Sequence, residues 1–468
     1  MSDADQRGDA EPHAHHDHDH EHGVEGPGYA TPQAAIEEAE REETAYVMGL
    51  YAGTDVAAPD FLAVVDLDPD SDTYAEVVER LEMPNRGDEL HHFGWNACSS
   101  SCHVEGLERR HLLIPGQRSS RIHVVDTADR RDPEFETVVE PDEVYEHDLS
   151  APHTVHCIPD GEILISMLGD ANGDLPGGFL ELNDDFEVEG RWDTPGDIEM
   201  NYDFWYQPRQ NVMLSTEWAA PRTYYPGFDL EDVEAGNYGQ RLNFWDWEAG
   251  EVVQTIDLGE EGMIPLEARF LHTPESTHGY VGAALSSNII HFHEENDRYL
   301  AEPVIEFDDR EHPDWDMPVP ALVTDILVSM DDRYLFGSNW LHGEVWMYDV
   351  SDPSNPRKAD SISIGGYFGD IQEVQGRELV AGPQMLQLSL DGERLYWTTS
   401  LFSSWDEQFF PEEGERGSVM LKADVNPRRG TMSLDEEFLV DFGEMPEGPA
   451  RAHEIRWPDG DCTSDVWQ

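Results

Sequence analysis

Residues 324–340, "TDILVSMDDRYLFGSNW", read as a strand, a tight turn and a second strand: an apolar β-branched run, an Asp-Asp turn, then an aromatic and apolar run. The same arrangement returns along the chain at "HTVHCIPDGEILISML" (153–168), "YDFWYQPRQNVMLSTEW" (202–218), "ARFLHTPESTHGYVGAAL" (268–285) and "MLQLSLDGERLYWTTSL" (385–401). A last copy, "HEIRWPDGDCTSDVW" (453–467), lies near the C-terminus and is expected to form the same pair of strands.

A second pattern interleaves with the first. Single strands ending in an acidic or amide turn begin at residues 61 ("FLAVVDLDPDS"), 121 ("RIHVVDTADRRDP"), 178 ("GFLELNDDFEVEG"), 241 ("RLNFWDWEAGEVV"), 288 ("NIIHFHEENDRYL"), 344 ("EVWMYDVSDPSNP") and 418 ("SVMLKADVNPRRG"). Units of roughly 50 to 75 residues, each offering about four short strands, are what the blades of a β-propeller require. The expected fold is therefore all-β: one seven-bladed β-propeller over residues 31–468. Stacked β-sandwiches are the alternative, but they have no need of so regular a signature.

Ahead of the repeats, residues 1–30 carry "HAHHDHDHEH" (13–22) and almost nothing to bury, so they are expected to form a disordered acidic, His-rich tail, either simply solvated or gathering metal loosely. "TPQAAIEEAEREETAYVMG" (31–49) then reads as a short helix with Thr31 as N-cap and Pro32 in its first turn.

The chain's 468 residues hold 100 Asp and Glu against 28 Lys and Arg, a net charge of −72, and only Lys358 and Lys422 are lysine. Spread over the whole chain, this charge argues against nucleic acid or an anionic membrane as partner, and it suits a halophilic habitat where salt screens self-repulsion. No stretch approaches the ~20 apolar residues of a membrane span, and four cysteines are too few for a disulfide scaffold. A cytoplasmic protein is the expectation.

Aligning the units on their turns puts the first residues of each innermost strand at one mouth of the central channel, the usual place for a propeller's site. His153 and His453 fall at that level, Asp203, Asp325 and Gln384 fall at or next to it, and His91 and His92 of "LHHFGWN" join them if that segment is the same element in its own blade. Any one of these histidines reads equally as a hydrogen-bonded core residue. It is their joint register that points to a metal, and imidazoles select copper or zinc over magnesium or calcium, with redox chemistry favouring copper. His156, three residues from His153, should face the other side of the strand, as support or core. His272, at a turn, and His342, in a loop, are further candidates.

Cys98 and Cys102 are four apart, which is neither a Cys-x-x-Cys motif nor half of a zinc ribbon. Next to a metal, Cys98 would be acidified into a reactive thiol. Cys157 and Cys462 read as buried and inert.

The blocks "LHHFGWNACSS" (90–100), "EILISMLGDANGDLPGGF" (162–179), "YDFWYQPRQNVMLSTEWAAP" (202–221), "GPQMLQLSLDGERLYWTTSLFSSWDEQFFP" (382–411) and "FLVDFGEMPEGPARAHEIRWPDGDCTSD" (438–465) resemble the selenium-binding protein family, whose members include methanethiol oxidases. The resemblance runs from about residue 45 to the C-terminus. It implies a seven-bladed propeller and copper-dependent oxidation of a small thiol, methanethiol, by O2 and water to formaldehyde, hydrogen sulfide and hydrogen peroxide. The family's histidine motifs fall on His91, His92, His153, His156 and His453, and its selenium-holding cysteine on Cys98. Asp203 or Asp325 would move protons, or serve as structural acids paired to arginine. Where the family has Cys-Ser-Ser-Cys this chain has Cys-Ser-Ser-Ser-Cys, so no role is carried to Cys102. The rival reading is a propeller that carries selenium or copper without turnover.

Overall fold

Each of the seven acid-ended strands forms the third strand, counted outward from the axis, of a four-stranded antiparallel sheet. The structure is a computed structural model that describes residues 26–467 apart from Asp314 and Asp316. Among the described residues seven such sheets stand around one axis, and a two-residue ribbon pairs Glu373–Val374 with Arg377–Glu378. The His-rich run at 13–22 lies outside the described residues.

The innermost strands are Gly94–Trp95 in blade 2, Ser150–Cys157 in blade 3, Phe204–Gln207 in blade 4, Pro265–Phe270 in blade 5, Val323–Val328 in blade 6 and Leu386–Leu388 in blade 7. Blade 1 takes its inner strand, Arg451–Arg456, from the C-terminal end and its other three, Thr44–Leu50, Phe61–Asp66 and Val77–Glu82, from the N-terminal side. The pairing of Tyr46 with Arg456 and of Leu50 with Arg451 thus closes the ring.

Closure corrects two expectations. The unit at 453–467 supplies one strand instead of two, because the place of its second strand is taken by Thr44–Leu50. The helix expected over 31–49 stops after Pro32–Glu38, capped as predicted by Thr31 accepting from the Ala34 amide; the rest of that stretch is drawn into blade 1, where all seven residues of Thr44–Leu50 are buried.

The core lies between blades. Tyr46, Leu62 and Val64 of blade 1 pack on Trp95, Leu112 and Ile114 of blade 2, and Leu113 and Val124 of blade 2 on Ile163, Ile165 and Leu180 of blade 3. Trp95, Trp205, Trp245, Trp346 and Trp397 are fully buried, each of the kind whose truncation to alanine costs about 3–5 kcal/mol. One mouth of the channel is roofed by insertions from blades 4 and 7. Their helices, Pro221–Tyr224 and Ser403–Phe409, bring Tyr224 and Trp405 into a single apolar cluster with Trp218 and Phe402.

Candidate metal centre

Beneath this roof the backbone of the inner strands departs from simple pleating. The pairing register shifts between Pro152 and Val155 in blade 3, between Pro265 and Ala268 in blade 5, between Val323 and Asp325 in blade 6, and across His453 and Glu454 in blade 1. A bulge breaks the alternation of side chains, re-aiming residues that a regular strand would send to the opposite face. Blade 2 reaches the same level with an irregular segment, His91–Phe93, leading into Gly94–Trp95. Gly94 is required there, since a Cβ would lie 2.4 Å from the Val155 carbonyl oxygen of the next blade.

These segments bring four imidazoles together. Ring centroids are 4.0 Å apart for His91 and His453, 4.1 Å for His92 and His153, 4.9 Å for His91 and His92, and 5.0 Å for His91 and His153. One donor atom from each of His91, His92 and His153 lies within 4.8 Å of the others. All four rings are buried.

The second nitrogen of each ring decides what the first can do. His153 Nδ1 is 3.0 Å from Thr154 Oγ1, whose single hydroxyl proton goes to Asp203 Oδ1 at 2.8 Å, so the imidazole must donate at Nδ1. His453 Nδ1 faces the Ser400 carbonyl oxygen at 2.7 Å, which can only accept. His92 Nδ1 lies 3.3 Å from Glu454 Oε1. With Nδ1 engaged by Thr154 in His153 and by the Ser400 carbonyl in His453, and beside the Glu454 carboxylate in His92, the Nε2 atoms of all three rings are left buried without a hydrogen-bond partner, as is His91 Nδ1. Burial, reinforced by the neighbouring charges, holds His91, His92 and His153 well below the ordinary imidazole pKa and His453 at about 3, so the ring is neutral. Clustered neutral imidazoles with buried, unpartnered nitrogens suit a borderline metal ion.

Carboxylates and arginines that sequence reading did not single out surround the ring. Glu267 of blade 5 is buried, with Oε2 2.7 Å from Arg269 Nη2 and Oε1 unpartnered, 3.8 Å from His92 Nε2. Its burial and the nearby Asp203 raise its pKa well above the carboxylate range. Glu454 accepts from the Phe93 amide and pairs with Arg456 at 2.5 Å. Asp203 binds Arg269 Nη1 and the Ala268 amide, both at 2.8 Å. Asp325 accepts from the Leu386 amide at 2.7 Å and lies 3.7 Å from Arg269, with burial raising its pKa to about 7. Both predicted aspartates thus bridge blades through their partners.

Beside His91, a tight cavity of about 20 Å³ is lined by Tyr202, Trp218, Leu266, Phe402 and Trp405, among other mostly apolar side chains. Its apolar lining beside His91 suits a small apolar group.

The remaining predicted residues lie elsewhere. His156 packs edge-on against Phe204, Trp205 and Tyr206 and does not join the ring. His272 and His342 each face a main-chain carbonyl, of Val328 and Val319, at 3.0 Å. Cys98 is fully buried with Ser100 Oγ at 3.2 Å, and it interacts with Cys157, which stands four residues along the strand from His153, roughly 13 Å at ~3.3 Å per residue. Burial raises the Cys98 pKa, but hydrogen bonds from Cys157 and Ser100 outweigh it and leave it at about 7; burial pushes Cys157 well above the usual thiol value. Cys102 is half-exposed and its thiol is raised, and Cys462 is buried.

The description of the 56 kDa selenium-binding protein family matches residues 23–468, nearly the whole chain. The chain belongs to the selenium-binding protein family. Relatives within this family include a methanethiol oxidase of Xenopus laevis, 49% identical over 94% of this chain and 98% of its own, and one of Bos taurus, 50% identical with the same coverage. Selenium-binding protein 2 of Arabidopsis thaliana is 48% identical over 94% of this chain and 95% of its own. A crystal structure of a hypothetical selenium-binding protein from Sulfolobus tokodaii superposes with a TM-score of 0.88 at 41% identity, covering 94% of this chain and 98% of that one. That chain therefore shares the seven-sheeted fold described above.

Proposed function

We propose that this family member is a copper-dependent methanethiol oxidase that converts CH3SH, O2 and H2O to formaldehyde, H2S and H2O2. The observation that carries this reading is the cluster of neutral imidazoles with buried, unpartnered nitrogens beside a small apolar cavity, in a chain about half identical to proteins named methanethiol oxidase. Bound copper would supply the one-electron couples linking thiol oxidation to O2 reduction, and would lower the pKa of the substrate thiol.

The chain's own residues divide the remaining work. His92, His153 and His453 through Nε2, with His91, hold the metal. The aromatic cavity takes the methyl group and keeps bulk water off the reacting carbon. Glu267 Oε1, unpartnered and next to His92, is placed to take up the thiol proton. Arg269 fixes the other oxygen of Glu267 and is itself held by Asp203 and Asp325, so these two aspartates act as positioning residues. Cys98 stands apart from the ring, and its depressed pKa favours a second capacity, retention of selenium on its thiolate.

Copper-loaded full-length protein should release one sulfide and one peroxide per methanethiol consumed. Failure to form either would overturn the assignment. A carrier without turnover would instead keep its metal and its selenium uptake through Cys98 and form neither product.

Among the described residues no helix is long and apolar enough to cross a membrane. Four free cysteines and a charge of −72 favour a reducing, salt-rich cytoplasm, which predicts that thermal stability rises as KCl is increased toward molar concentrations.

A further inference from the structure

A second group of histidines stands on blade 5, away from the channel. His291 and His293 lie two apart on its third strand, Asn288–Glu294, and so share one face. The second strand, Gly279–Ala283, pairs Gly279 with Phe292 and Tyr280 with His291, and continuing that register sets His278 opposite His293. The three rings stack with centroids 5.1 Å (His278 and His291), 5.3 Å (His278 and His293) and 5.1 Å (His291 and His293) apart and planes inclined by 18° or less. One donor atom from each lies within 4.8 Å of the others. The group sits two strands out from the inner strand, about 10 Å at ~4.8 Å per strand, and shares no residue with the central ring.

Within the group a single hydrogen bond joins two of the rings, His278 Nδ1 to His291 Nε2 at 2.9 Å. His291 is fully buried, yet its Nδ1 has no partner, and neither does the buried Nδ1 of His293. Three imidazoles on one sheet face, with buried nitrogens left unpaired, are an expensive arrangement unless something else takes the lone pairs.

We propose that His278, His291 and His293 form a second metal site, which binds one borderline divalent cation of the zinc type. The donor set is all imidazole, which selects zinc, copper or nickel over calcium or magnesium. Tetrahedral Zn–N bonds of about 2.0–2.1 Å place donor atoms about 3.3 Å apart, so the rings need to close by about an ångström. His278 and His293 are only partly buried and have the freedom to turn, and they leave the site open to solvent. Directly across from His291 on the fourth strand is the exposed Glu302, on the same face and available as a fourth ligand. The ion would tie the second and third strands together at the rim of the blade.

The test uses the full chain. Wild type and the double variant His278→Ala/His293→Ala are dialysed against buffered micromolar free Zn²⁺ and their metal content is measured. The tail and the central ring are present in both, so the difference reads this site alone. Wild type should hold one more equivalent of zinc than the variant, while methanethiol oxidation is the same in both. Equal zinc content would overturn the proposal. Should the double variant fold poorly, Co²⁺-loaded wild type is compared with His293→Asn. The difference spectrum should show the visible bands of tetrahedral cobalt, and a featureless difference would equally overturn the site.

Discussion

The inner strand of blade 3 serves two different sites along its length. At one end His153 joins a ring of imidazoles, while at the other Cys157 holds the thiol of Cys98. Both places are dry, but they are prepared in opposite ways. Around the ring, each fixed imidazole has given up one nitrogen to a neighbour, the Thr154 hydroxyl, the Ser400 carbonyl or the Glu454 carboxylate, and keeps the other nitrogen empty. Around Cys98, hydrogen bonds from Cys157 and Ser100 converge on the sulfur itself and favour the thiolate. A site built to bind a cation leaves lone pairs unpaired, whereas a site built to hold an anion fills them.

The largest effect on this contrast should come from removing a ring donor. His92→Ala or His153→Ala should lose bound copper and lower kcat/KM for methanethiol by about 100-fold or more, with Cys98 untouched, as metal analysis and sulfide release would show. Next comes Glu267→Gln, which should retain copper but reduce kcat by about 100-fold, since it removes the proton acceptor and keeps the ligands. Thr154→Val should follow. It breaks the link from His153 to Asp203, frees the imidazole to take the wrong tautomer, and should weaken copper affinity about 10-fold, measured against a competing chelator.

The smallest effect on oxidation is expected at the other end of the strand. Cys98→Ser should leave methanethiol turnover within about 2-fold while abolishing selenium uptake. In the wild type the thiolate absorbance contributed by Cys98 should appear as pH rises through about 7, two units below a free thiol, and it should be missing from the variant. A midpoint near 9 would remove the contrast between the two sites.

The repeating strands made the fold readable, because each acid-ended segment marks the third strand of a blade, where a sheet meets solvent at its turn. The ring closure was not readable, since nothing local in 44–50 states that its partner is 451–456. His91, His92, His153 and His453 were legible from register, because aligning the units on their turns sets all four at one level. Glu267, Glu454 and Thr154 were not: in a chain with 100 acidic residues a buried functional carboxylate looks like any surface one, and the bulges that bring Glu267 and Glu454 to the channel leave no mark in the sequence. The density of His and Cys over residues 91–103 suggested a thiol beside the metal. Instead Cys98 follows residues 96–110 away to the far end of blade 3, where Asp465 accepts from the Ser99 amide and hydroxyl and pins the loop.

Anomalous scattering at the copper edge from crystals of copper-loaded, active protein tests the central claim most directly. One peak is predicted among His91, His92, His153 and His453. Active protein with no copper in the ring, or with copper confined to the blade 5 histidines, would contradict it.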